Sequence, residues 1–217
     1  VPGRRWFIPE LDDPSDMTDE EWAFANALSD ATADLVCPGV SDLLIPAAYN
    51  DVATERLIAA IGLYDRPASG PGLSLLDFGV HYLNGRIRGV RLHNQLYFLD
   101  EEHYGIDLDS TGSVEELARL TAGWFASMLR RPVVLKAWLN HSYAYASQYE
   151  FADTGQGLAV SYHRGHKPDG QQRMPQAPGG PAPDLIFHIR GDLTLASEPL
   201  MLCEQERHGL FPGPWLM

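Results

Sequence analysis

The stretch LSLLDFGVHYLNGRIRGVRLH, residues 73–93, decides the fold class. Asn84-Gly85 near its centre is the residue pair that a type I′ turn favours, and the segments on both sides are rich in apolar side chains that alternate with polar ones. The stretch therefore predicts a β-hairpin with strands at 73–83 and 86–93. A third strand, apolar on both faces, is expected at 96–99.

The register of this hairpin depends on Gly89. Counting outward from the turn places Phe78 opposite Arg91, which would mix apolar and charged side chains on one face. One extra residue at Gly89, as in a β-bulge, would place Phe78 opposite Leu92 and Val80 near Val90. We therefore expect a bulge at Gly89. The other face of the hairpin would then carry the polar residues Asp77, His81, Arg88, Arg91 and His93.

Capping boxes mark the start of two helices, Thr18 with Glu21 and Ser113 with Glu116. The first helix is expected to continue to Pro38-Gly39, and the second to end before Pro132. Two further helices are predicted between them: a short one at 41–48, and one that begins after Asn50 or Asp51. The apolar stripe of the latter is Leu57, Ile58, Ile61 and Leu63.

A second group of strands follows the helix that starts at Ser113. Alternating apolar and aromatic side chains predict strands at 133–139, 143–151 and 158–162, and a late strand at 183–189. The whole pattern indicates an α+β fold: an antiparallel sheet of six or seven strands, made of two three-stranded meanders separated by one helix plus the late strand, with the N-terminal helices packed on one face.

The length of 217 residues favours a single domain spanning 1–217. Residues 1–17 contain three prolines among acidic residues and predict an irregular arm, anchored by Trp6, Phe7 and Ile8. Residues 165–183 are poor in large apolar side chains, which indicates a mobile surface loop. The apolar segment 210–217 is expected to lie in a groove of this chain or of a partner.

The net charge argues against two classes of binding partner, nucleic acids and anionic membranes. Sixteen Lys and Arg against 29 Asp and Glu give a net charge of −13, which repels nucleic acids and anionic membranes. The chain has neither a run of about 18 apolar residues nor the apolar region of a signal peptide. We therefore expect a cytoplasmic protein that binds neither nucleic acid nor membranes. An uncovered sheet edge or the segment 210–217 could form a homodimer.

The sequence predicts no cofactor and no metal ion. Nucleophile elbows, Ser-x-x-Lys motifs and glycine-rich phosphate loops are absent from it. Cys37 and Cys203 have no zinc-type spacing and are expected to be buried thiols. The acidic run 100–103 is expected to be a solvated loop, and His163 with His166 supplies only half of a zinc site. The tyrosines of the second meander are assigned to the core: Tyr143, Tyr145, Tyr149 and Tyr162.

The polar face of the first hairpin is the candidate site. The expected register places Asp77 beside His93 and His81 beside Arg88, with Cβ atoms about 5 Å apart. A carboxylate can orient an imidazole and raise its pKa, as a general base requires, while Arg88 and Arg91 could hold an anionic substrate. Polar residues also face water on half-exposed antiparallel sheets, and this structural explanation is preferred.

Two functions of different classes follow. The first is an acidic binding protein of the inhibitor, immunity or assembly-factor type, which recognises a basic protein partner through its negative charge. The alternative is a cofactor-independent enzyme, an acid/base isomerase, cyclase or hydrolase. Its catalytic residues would be Asp77, His81 and His93, and its substrate-binding residues Arg88 and Arg91.

Overall fold

A computed structural model describes residues 5–11, 13–35, 39–49, 56–65, 73–92, 108–200 and 202 of the chain. In this part the α-helices are α1 Asp19–Ala31 and α2 Val114–Arg130. The strands are β1 Val40–Ile45, β2 Leu57–Asp65, β3 Leu73–Leu83, β4 Arg86–Arg91, β5 Leu108–Thr111, β6 Val133–Asn140, β7 Tyr143–Phe151, β8 Gln156–Tyr162 and β9 Leu185–Arg190. Short 3-10 helices are Pro14–Asp16, Ala47–Tyr49, Arg164–His166 and Leu193–Leu195. The α+β class with antiparallel strand pairing is confirmed.

The strands form two sheets rather than the one predicted. Within the described residues a five-stranded sheet has the order β1-β2-β3-β4-β5, and a four-stranded sheet has the order β8-β7-β6-β9. All pairs are antiparallel. The chain divides into two compact units, residues 1–129 and 130–217, which hold one sheet each. The organisation as a single domain stays a prediction.

The two helices predicted at 41–48 and after Asn50 are wrong, because β1 and β2 occupy most of these segments. Strand β2 lies between β1 and β3, and eight of its nine residues are buried while Tyr64 is half-buried. An interior strand covered on both faces is a continuous apolar run, and a short run of this kind has no periodicity that separates strand from helix.

Both helices of the first unit pack on the same face of its sheet. Phe24 of α1 stacks on Tyr82 with 4.2 Å between ring centroids. Trp124 and Phe125 of α2 meet Phe78 edge to face, at 5.5 and 5.7 Å. Because Phe78 and Tyr82 are four residues apart on β3, their side chains share one face. Of the N-terminal helices predicted to cover one face, α1 alone is an α-helix of the described residues, and the second helix on this face is α2.

The capping box of α1 is present. The Thr18 hydroxyl accepts a hydrogen bond from the Glu21 backbone N–H at 3.2 Å, and the Glu21 carboxylate accepts one from the Thr18 N–H at 2.8 Å. The same carboxylate also accepts hydrogen bonds from the Thr18 hydroxyl and from the Ala47 N–H, both at 3.0 Å. The helix ends at Ala31, before the predicted Pro38: Thr32 is its C-cap, and beyond it the Ala33 N–H bonds to the Asp30 carbonyl three residues back, so the i→i−4 pattern stops.

We expect Thr18→Ala to lower the free energy of unfolding by about 1 kcal/mol, because the variant loses the acceptor for the Glu21 N–H. Thr18→Ser keeps the hydroxyl and is the matched control, with an expected change of a few tenths of a kcal/mol. Urea unfolding followed by circular dichroism measures both values. Equal losses in the two variants would contradict the capping role.

The N-terminal arm is anchored by two of its three predicted residues. Phe7 is fully buried and stacks on Phe125 with 5.5 Å between centroids, and its N–H donates to an Asp42 carboxylate oxygen at 2.8 Å. Trp6 is buried as well, whereas Ile8 is 51% exposed. Trp6 and Phe7 are therefore part of the core of the first unit.

The predicted strands of the second unit are confirmed in pattern. Leu135 pairs with Tyr149 and Ala137 with Ser147, so the aromatic and aliphatic residues share a face as expected. The register shifts once between Trp138 and Leu139. Tyr145 and Tyr149 are buried, as predicted for core tyrosines, while Tyr143 and Tyr162 are half-buried.

Beyond the 3-10 helix Arg164–His166, the segment up to residue 183 is irregular, as its composition indicates, and hydrogen bonds attach it to the sheet of the second unit. The Trp138 indole N–H donates to the Pro181 carbonyl at 2.9 Å. The Gln176 side-chain amide donates to the carbonyls of Ser147 and Ser161, at 3.2 and 3.0 Å. The mobility of the loop stays a prediction.

Other predictions lie outside the described residues: the strand at 96–99, the acidic run 100–103, the two cysteines and the segment 210–217. Among the helices that are described, none is long and apolar enough to span a bilayer.

Candidate functional site

The hairpin of β3 and β4 is confirmed, but the predicted bulge at Gly89 is wrong. Phe78 pairs with Arg91 and Val80 with Gly89, as simple counting from the Asn84-Gly85 turn requires. A Cβ atom on Gly89 would lie 2.8 Å from Val80 Cγ1 and 3.2 Å from the Trp124 ring. Glycine at this position thus makes room for the side chains that cover the helix-packed face, and no extra residue is needed.

This register divides the predicted polar residues between two faces. Asp77, His81 and Arg88 lie on the face opposite the helices, which we call the His81 face. Arg91 pairs with Phe78 and therefore belongs to the helix-packed face, contrary to prediction. His93 lies outside the described residues, so its proximity to Asp77 stays a prediction.

The His81 face is not the half-exposed surface that the sequence suggested. His81 is only 3% exposed, and the apolar cluster of Ile58, Ala60 and Leu92 on the same face is buried too. Ile58 pairs directly with His81 from β2, and Arg88 pairs with it from β4. The imidazole therefore lies in the middle of a largely apolar sheet face, beside one exposed arginine.

The environment of His81 keeps its imidazole neutral. Neither ring nitrogen has a hydrogen-bond partner within the described part of the chain. Burial lowers the pKa of His81 to about 4, and the positive charges of Arg56 and Arg88 act in the same direction. A carboxylate partner would have raised this pKa, so the electrostatics are the opposite of those expected for an acid/base pair.

Asp77 occupies a separate part of the same face. Its carboxylate lies over Gly62, where a Cβ atom would come within 2.8 Å of Asp77 Oδ1. Burial raises the pKa of Asp77, and the charge of Arg91 partly opposes this effect. Asp77 and His81 are four residues apart on one strand, about 13 Å at 3.3 Å per residue, so they cannot form a hydrogen-bonded dyad.

Arg88 lies next to the ion pair of Arg86 and Asp109 but makes no hydrogen bond to either residue. Asp109 of β5 is the direct cross-strand partner of Arg88. Its carboxylate nevertheless accepts two hydrogen bonds from Arg86, at 2.9 and 2.7 Å. Arg86 holds the pKa of Asp109 below its ordinary value, with a smaller effect from the charge of Arg88.

Arg56 is a member of this site that the sequence did not reveal. It immediately precedes β2, in a segment predicted to be helical. Its Nε atom is buried and has no hydrogen-bond partner among the residues that the structure describes. A correct strand assignment for 57–65 would have placed Arg56 at the end of the strand that pairs with β3, and so close to His81.

A second group of rings lies in the four-stranded unit. The Tyr143 ring is 4.3 Å from the His166 ring and 6.1 Å from the His163 ring, measured between centroids. The two imidazoles are 6.4 Å apart. Within the described ranges, no three His, Cys, Asp or Glu side chains come together as metal ligands would.

The negative charge of the protein is divided unequally between the units. Residues 1–129 contain 21 acidic and 8 basic residues, whereas residues 130–217 contain 8 of each. The first unit therefore carries the whole net charge of −13 and the second is balanced. Exposed acidic side chains of the first unit include Glu10, Asp13, Asp19, Glu20 and Asp34.

Comparisons with protein families, with curated proteins and with solved structures find no match to this chain.

Proposed function

We propose that the protein is an acidic binding protein of the inhibitor, immunity or assembly-factor type, and that its first unit captures a basic protein partner. The observation that carries this proposal is the confinement of the net charge of −13 to residues 1–129. A field of one sign over one unit steers an oppositely charged protein toward that unit and raises the association rate.

The acidic side chains that would meet the partner lie on and before α1. Asp13 and Glu20 have structural tasks, because Asp13 caps the 3-10 helix Pro14–Asp16 and Glu20 accepts hydrogen bonds from Tyr82 and Gly85. Glu10 and Asp19 are exposed and make no side-chain hydrogen bond within the described residues. The charges of Glu10 and Asp19 can therefore contact a partner without loss of a hydrogen bond that supports the fold.

The enzyme alternative has weaker support. An acid/base mechanism at the His81 face would need a carboxylate beside the imidazole, and Asp77 is four residues, about 13 Å of backbone, from His81 along the strand. The pKa of about 4 makes His81 a weak base at neutral pH. His93 remains the untested member of that proposal.

Affinity capture from the lysate of the native organism, at low and at moderate salt, tests the proposed function. We expect one basic protein to be recovered in stoichiometric amount at about 50 mM salt and to be strongly depleted at about 300 mM, because exposed charges are screened over a few ångströms at high ionic strength. Stoichiometric recovery of an acidic protein, or recovery of no protein at either salt concentration, would contradict the proposal.

A further inference from the structure

We propose that Arg56, His81 and Arg88 form a binding site for a phosphate group on the His81 face of the first unit. This inference concerns a small ligand and does not rest on the protein-binding function proposed above. It begins from polar atoms that are buried and lack partners, which proteins rarely tolerate unless a ligand or an ion supplies the missing contact.

The three residues lie on or next to neighbouring strands of one sheet. His81 and Arg88 are direct cross-strand partners, so their Cβ atoms are about 5 Å apart. Arg56 precedes Leu57, the first residue of β2, and β2 pairs with β3. Both guanidinium groups are close enough to His81 to lower its pKa through their charge.

None of the three has a competing acceptor in the described part of the chain. Both nitrogens of His81 and the Nε atom of Arg56 are buried without a hydrogen bond. Arg88 makes no hydrogen bond to its cross-strand neighbour Asp109, whose carboxylate accepts two bonds from Arg86. Within the described residues neither Arg56 nor Arg88 is hydrogen-bonded to a carboxylate, although the unit has an excess of carboxylates.

The chemistry of the three groups selects the class of ligand. Two guanidinium groups supply two positive charges and planar pairs of N–H donors, and a neutral imidazole supplies one more N–H. A phosphate dianion matches this charge and has enough acceptor oxygens for all three groups. A carboxylate carries one negative charge, half that of the phosphate dianion, and therefore matches the two guanidinium groups less well. Arg88 is exposed, so the ligand would approach the His81 face from the side of Arg88.

Isothermal titration calorimetry with potassium phosphate tests this site directly. We expect saturable binding at pH 7, and at least a tenfold rise in Kd for Arg88→Gln and for Arg56→Gln, because each variant loses a charge-assisted hydrogen bond. Arg119→Gln is the matched control: it removes an equal charge from an exposed position of α2 in the same unit and should leave the Kd unchanged.

Three results would overturn the proposal: no saturable binding by the native protein, an equal heat with potassium chloride of the same ionic strength, or an equal rise in Kd for Arg119→Gln.

Sodium acetate serves as the carboxylate probe and should bind at least tenfold more weakly than phosphate; equal affinity contradicts the choice of ligand class. A parallel titration with glycerol 3-phosphate separates two sources of the group, since tighter binding of the ester identifies a phosphorylated metabolite and tighter binding of phosphate identifies the free ion.

Discussion

Replacing Gly79 with alanine should lower the free energy of unfolding by at least about 2 kcal/mol. Gly79 lies on the His81 face, between Asp77 and His81 along β3. A Cβ atom at this position would come within 2.5 Å of the Ala59 carbonyl oxygen and 2.8 Å of the Ala60 Cα atom. Both are backbone atoms of β2, so strand β2 itself would have to move. Chemical denaturation with fluorescence detection measures the loss.

The matched control is the same substitution in a helix. Gly123 lies within α2, and a Cβ atom there would meet no atom within 4 Å. Alanine restricts the unfolded chain and favours the helix, so Gly123→Ala should raise the free energy of unfolding by about 0.5–1 kcal/mol. If Gly79→Ala were also neutral or stabilising, the close approach of β2 and β3 described here would be incorrect.

Acidification should destabilise the protein through His81. The imidazole has a pKa of about 4 when folded and an ordinary value of 6.5 when exposed, so between these values the unfolded chain binds the proton more readily. The stability that depends on a neutral His81 is complete above pH 6.5. It declines as the pH falls toward 4 and is lost below pH 4. The full loss corresponds to about 3 kcal/mol.

Urea unfolding of the native protein and of His81→Gln, measured between pH 7 and pH 4, isolates this effect. The variant has no group that titrates at this position, so its free energy of unfolding should fall less steeply over the same interval. His141→Asn is the control, because His141 is exposed and has a positive φ of 56° that asparagine tolerates. Identical pH profiles for the native protein and His81→Gln would show that the imidazole is not held neutral.

Local signals predicted the parts of the fold that depend on neighbouring residues. The capping boxes at Thr18 and Ser113 and the Asn84-Gly85 turn are all present, because each is set by hydrogen bonds or backbone preferences within a few residues. The strands from β6 to β9 were also predictable. In β6 and β7 the alternation reflects aromatic and aliphatic residues that share one face up to the register shift between Trp138 and Leu139.

Two of the errors, the helix predicted over β2 and the bulge at Gly89, have one physical origin, which is burial on both faces. Strand β2 has no polar face, so its sequence could not be distinguished from a buried helix. The bulge at Gly89 was predicted on the assumption that the second face of the hairpin meets water. That face is covered too, with His81 only 3% exposed. An apolar residue on it is therefore shielded from water, and the hairpin needs no bulge.

The candidate site was predictable only in part. The pairing of His81 with Arg88 follows from the turn and was predicted correctly. The contribution of Arg56 required the knowledge that 57–65 is a strand. The total charge was visible in the composition, but its confinement to residues 1–129 became apparent only with the boundary between the two units.

The most direct test of the binding function compares two double variants in the same affinity capture. Glu10→Gln with Asp19→Asn removes two exposed negative charges from the first unit, and Asp169→Asn with Glu198→Gln removes two from the second. We expect the first pair to reduce recovery of the basic partner at least threefold at about 50 mM salt, and the second pair to leave recovery unchanged. Equal recovery by both pairs, or a loss caused by the second pair alone, would contradict the assignment of partner binding to the acidic unit.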